Sequence, residues 1–104
     1  MAEEYDAIAE LHRLRTEAAQ TRLRAIQSQL SLASTFCSLA ETELRYGQID
    51  EVRLLMGKLQ HVIETIDRHL GERNHVPPDN VPECRDRLAQ VRSRVLKIEA
   101  HLGR

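Results

Sequence analysis

The sequence predicts an all-α fold, an antiparallel three-helix bundle whose first helix is far longer than the other two. Three observations carry that expectation. Residues 3–46 contain neither glycine nor proline, and all 104 residues hold only four Gly and three Pro, so long helices meet few breaks. Apolar residues recur at alternating steps of three and four in three separate stretches, the spacing of helices that pack along their length. Aromatic residues make up 3% of the chain and Trp is absent, which leaves Leu, Ile, Val and Ala to build the core.

Helix 1 is expected over residues 3–46. Its acidic opening, Glu3, Glu4 and Asp6, suits the positive end of the helix dipole. From Leu23 its main stripe runs Leu23, Ile26, Leu30, Ala33, Cys37, Ala40 and Leu44, and a second line of Leu32, Phe36 and Leu39 widens it to an arc fit for two neighbours. Gly47 stands where a left-handed glycine would stop the helix. Helix 2 follows over residues 48–70, with Ile49, Val52, Met56, Leu59, Ile63, Ile66 and Leu70 in line and Gly71 expected to end it in the same way. Residues 71–80 form a loop in which Pro77 and Pro78 exclude helix. Helix 3 is expected over residues 81–102, capped by Asn80, with Pro82 in its first turn and Glu83 at the capping-box position. Its stripe is Cys84, Leu88, Val91, Val95, Ile98 and Leu102.

The lengths do not match. At a rise of 1.5 Å per residue, helix 1 spans about 65 Å and each of the others about 30–35 Å. The tight turn at Tyr46-Gly47 folds helix 2 back onto the C-terminal half of helix 1, so residues 1–22 are expected to protrude from a single helical domain as an arm. Leu11, Leu14 and Ala18 share a face of this arm with Ala7, on a line that continues through Ala25 to Leu32 and Leu39. The alternative is a break near residues 20–25 that folds the arm back as a fourth helix.

Some 30% of the chain is charged, yet Ala25 to Ala40 contains no charge. Ser28, Ser31, Thr35, Ser38 and Thr42 cluster there, opposite the main stripe. Serine and threonine are weak helix formers, and small side chains let another helix approach closely. This hydroxyl face, with Leu11, Leu14 and Ala18 of the arm, is expected to pair with a second copy of helix 1, a dimer being the favoured state. Gly57 sits mid-helix on the polar side of helix 2 at a cost of about 1 kcal/mol against Ala, and is read as a point of close approach by another backbone.

The composition narrows the function. A formal charge of −1 argues against a general nucleic-acid or anionic-membrane binder. The longest uncharged run is too short and too polar to cross a membrane, and residues 1–10 lack the pattern of a signal peptide. Cys37 and Cys84 lie on apolar stripes and read as buried, reduced thiols of a cytoplasmic protein, bridged only if their helices meet at that level. His61 and His69 are too far apart to share a metal, Glu72 and His75 have no matching second pair, and His12 and His101 read as half-buried packing residues. No cofactor, metal site or catalytic residue is expected, and the chain reads as a non-enzyme. Arg85, Arg87, Arg92 and Arg94 of helix 3 flank its apolar stripe on both sides. They are an alternative working surface, for an acidic protein or nucleic acid.

Residues 39–59 place Ala40, Leu44, Gly47, Ile49, the run Asp50-Glu51-Val52 and Leu55 near the small, glycine and apolar positions of a helical hairpin turn. The segment resembles the turn of a tetratricopeptide repeat. That motif repeats every 34 residues, and Pro77-Pro78 falls where a second copy would run. The resemblance implies a tight hairpin and tilts the reading toward protein binding. The function expected from the sequence is thus a small helical interaction or assembly module, self-associating through helix 1.

Overall fold

A computed structural model describes residues 2–72 and 76–103, with side chains described from Asp6 onward. Glu3 and Glu4 as dipole partners, His75 and Arg104 therefore lie outside the described side chains. The element order is α1 (Ala2–Arg45), α2 (Ile49–Gly71), a short 3-10 turn (Pro78–Asn80) and α3 (Val81–Leu102). The chain is an all-α three-helix bundle, and among the described residues there is no strand.

α1 is continuous over 44 residues, so the break considered near residues 20–25 does not occur. Nothing in that stretch would cause one, since Gly and Pro are both absent from it. The helix stops at Gly47, the one described glycine with positive φ, at 71°. The Gly47 N–H donates to the Leu44 carbonyl at 3.1 Å and the Gln48 N–H to the Glu43 carbonyl at 2.9 Å. These two bonds satisfy carbonyls that the helix end leaves unpaired.

The other two ends differ from expectation. Gly71 closes α2 without a left-handed turn, and Glu72 leads away in extended conformation (φ −83°, ψ 135°). Asn80 is helical in backbone and makes no side-chain cap bond. The 3-10 turn does that work instead: the Val81 N–H bonds the Pro78 carbonyl, so the backbone enters α3 already coiled. Pro82 sits in the first turn, where its missing N–H costs nothing.

Contacts give the direction of each helix. Arg87 reaches Ser31 and Arg94 reaches Ser38, both pairs 56 residues apart, so α1 and α3 run the same way. Arg85 reaches the Leu70 carbonyl and Arg92 pairs with Asp67, so α2 runs against α3. The core lies where the three stripes meet. Leu30, Ala33, Cys37 and Ala40 of α1 and Val52, Leu59 and Ile66 of α2 have no exposed surface, and Leu88, Val91 and Ile98 of α3 are buried with them. Val76, from the loop, joins the same cluster. Ile49 and Leu44, at the hairpin end, are less covered than their stripes suggest.

Candidate interaction surface

Beyond Leu23 toward the N-terminus, α2 and α3 are too short to follow. From Asp6 to Arg22 every residue is exposed except Ala19, which is partly covered. Ile8 is 60% exposed, Leu11 48% and Leu14 50%. The apolar arc of α1 is also left partly open farther on. Phe36 packs against the core, but Leu32 and Leu39 remain 43% and 46% exposed. The second line of the arc is therefore only half used.

The hydroxyl face divides into two rows. On the α3 side, the Arg87 Nη2 donates to Ser31 Oγ at 3.4 Å and the Arg94 Nη2 to Ser38 Oγ at 3.0 Å. Arg94 also donates to the Glu41 carboxylate at 2.9 Å and to the Ser34 carbonyl at 3.5 Å. The Glu41 carboxylate holds the Arg94 guanidinium above its ordinary pKa. On the outer side, Thr35 and Thr42 donate back to the Ser31 and Ser38 carbonyls at 3.0 and 2.9 Å. Each hydroxyl is satisfied by its own helix. Ser28 is exposed in the same row.

Taken with the arm, this outer row forms one line. Steps of four and three lead from Ala7 through Leu11, Leu14 and Ala18 of the arm to Thr21, Ala25 and Ser28. The same steps continue through Leu32, Thr35, Leu39 and Thr42 to Tyr46. No position on the line is charged. In a chain that is 30% charged, a line facing only water would carry several charges. The heptad spacing is that of a coiled-coil seam, and it is a second seam, since the first is buried against α2 and α3. The repeat of seven from Ala7 to Tyr46 is the signal that joins the arm stripe to the hydroxyl row.

A shallow groove borders this seam between α1 and α2. Leu32, Phe36, Leu54, Gly57 and Val62 line it, with Arg53, Lys58 and His61 at its rim. Leu54 is 56% exposed. A Cβ at Gly57 would meet nothing within 4 Å, so no backbone of this chain approaches it.

The four arginines of α3 do not share a surface. Arg85 and Arg92 turn to α2, Arg87 and Arg94 to α1, and each has the partner given above. His12 and His101 are exposed rather than half-buried; the His101 Nδ1 lies 2.8 Å from the Lys97 carbonyl. Cys37 and Cys84 are buried and free. The constant offset of 56 between α1 and α3 sets Cys84 level with Ser28, nine residues or about 13 Å along the axis from Cys37, which excludes a disulfide. Burial pushes both thiols above the ordinary cysteine pKa, the setting of an inert thiol. Among the described residues no three His, Cys, Asp or Glu side chains converge to hold a metal ion. No described helix is long and apolar enough to cross a membrane.

Compared with protein-family profiles, with curated proteins and with solved structures, the chain matches none of them.

Proposed function

We propose that the chain is a protein-interaction or assembly module, binding rather than catalysing, that works through the outer face of α1 and associates with its own copies. The observation that carries this reading is the uncovered seam. Leu11, Leu14, Leu32 and Leu39 are all between 43% and 50% exposed along one line of α1, while the opposite face of the same helix is buried from Leu23 to Ala40. Exposed apolar residues scattered singly are ordinary, but a continuous line of them, free of charge, is what an interface core looks like before it is covered. A thin bundle of this size also gains core by association. Docking an acidic partner on α3 has less support, because its arginines are split between two sides and engaged within the chain. Two buried thiols too far apart to bridge suit a reducing compartment such as the cytoplasm.

Light scattering on the purified protein tests the proposal. A dimer or higher assembly at micromolar concentration is the expected result, and Leu14→Glu together with Leu39→Glu should return it to a monomer of unchanged helicity. A wild-type chain that stays monomeric up to about 100 μM, a concentration far above that of specific complexes, sinks self-association.

A further inference from the structure

We infer that two copies pair α1 against α1 in antiparallel fashion, with Leu14 of one copy facing Leu39 of the second. This rests on the reading that α1 self-associates and specifies how it does so. Three independent features select the arrangement. The first is side-chain size along the seam. In this register Leu11 faces Thr42, Thr21 faces Leu32 and Ala7 faces Tyr46, so three of the six distinct layers set a large residue against a small one, while Leu14 meets Leu39. A parallel pair sets each leucine against its own copy and each alanine against its own, so no layer pairs a large residue with a small one.

The second feature is charge. Residues just before the leucine positions flank an antiparallel seam and meet their counterparts across it. Here Glu10 meets Arg45 of the second copy and Glu17 meets Ser38, with no like charges opposed at close range. Sliding the pair by one heptad, so that Leu14 faces Leu32, sets Arg22 and Arg24 against their own copies at the two-fold axis, a repulsive arrangement. Arg13 already bridges Glu10 and Glu17 on the same helix face. That exposed contact is weak, and Glu10 keeps acceptor capacity for a second donor.

The third feature is cover. The antiparallel pair lays each bare arm along the charge-free half of the other α1, where it also reaches Phe36, Leu54 and Gly57 of the groove. The missing Cβ of Gly57 leaves room for the incoming helix. Each end of the dimer becomes a local four-helix bundle, and the contact is isologous, so the assembly closes at two copies. A parallel pair brings arm only against arm and leaves the groove open.

Oxidative cross-linking of single-cysteine additions tests this. Leu14 and Leu39 are about half exposed, so Leu14→Cys and Leu39→Cys each leave the bundle folded, while the native thiols stay buried. The expected result is a covalent dimer when the two variants are mixed and none when either is oxidised alone. A covalent dimer from Leu14→Cys alone overturns the antiparallel arrangement while leaving self-association standing. No cross-link in any sample that still scatters light as a dimer overturns it too. A monomer by light scattering removes both proposals. As a check that needs no cysteine, Glu10→Arg should weaken the dimer several-fold and Arg45→Glu in the same chain should restore it; failure of the rescue counts against the register.

Discussion

Thr35 and Thr42 show how a side chain's role depends on where its polar atom is spent. Both donate to the carbonyl four residues back, as do Thr16, Thr21 and Thr65 elsewhere in the chain. Their hydroxyls are spent on their own helix, so a row that reads as polar in the sequence has fewer donors left for a partner. Ser31 and Ser38, one position round the helix, are instead taken by arginines of α3. Replacing them with glutamate would create ion pairs inside the chain, so Leu14 and Leu39 are the better probes of the outer face. The cysteines are a second residue-scale case. Burial raises both thiols, so the folded chain keeps them protonated to higher pH than the unfolded chain, whose thiols ionise near pH 8.5. Above that pH the unfolded state binds fewer protons than the folded one, and stability falls as pH rises. The denaturation midpoint should hold level from pH 6 to about 7.5 and decline toward pH 10, and Cys37→Ala with Cys84→Ala should remove part of the decline. Thiol-reactive dye should label neither cysteine until the protein is unfolded.

At the scale of the element, stripes and stops differ in legibility. Every inward position of the α1 stripe from Leu23 to Ala40 is buried, because a helix that packs along its length must repeat its apolar residues at the helical period. Gly47 was readable for an equally local reason: the left-handed conformation it adopts is one L side chains avoid. The cap of α3 was not. Asn80 has the right chemistry, but the 3-10 turn from Pro78 delivers the needed hydrogen bond through the backbone, and that turn depends on how the loop packs, with Val76 driven into the core. Gly57 yields the clearest prediction here. It lies within α2 with open space at its missing Cβ, so Gly57→Ala should stabilise the monomeric fold by about 1 kcal/mol, read as a higher denaturant midpoint with unchanged slope. In the proposed dimer the added methyl narrows the space taken by the incoming helix, so the gain is to be read on the monomeric Leu14→Glu, Leu39→Glu background.

For the whole molecule the governing fact is shape. The radius of gyration is 18.6 Å and the longest dimension 69 Å, whereas a compact chain of this length would have a radius near 13 Å. A three-helix core occupies about half of that length, and α1 alone continues beyond it. Such a molecule exposes much of its surface for its mass, and association is the direct way to recover burial. The proposed antiparallel pair overlaps the two long helices along nearly their full extent. Small-angle scattering should therefore show a doubled mass with a maximum dimension still near 70 Å, whereas pairing through the arm tips alone would lengthen the particle well beyond that.

By itself the sequence determined the helices, their order, the buried face of each and the excess length of α1, because all of these follow from residue type and period along one segment. It also marked the outer face of α1 as unusual through the missing charges of residues 25–40. Which residues of that face are spent within the chain was decided only by the tertiary structure. The arginines of α3 claim Ser31 and Ser38, the groove opens beside Leu32 and Gly57, and the two thiols come to rest at different levels. Each depends on the axial offset between helices distant in sequence, and that offset is set by packing across the core rather than by any local signal.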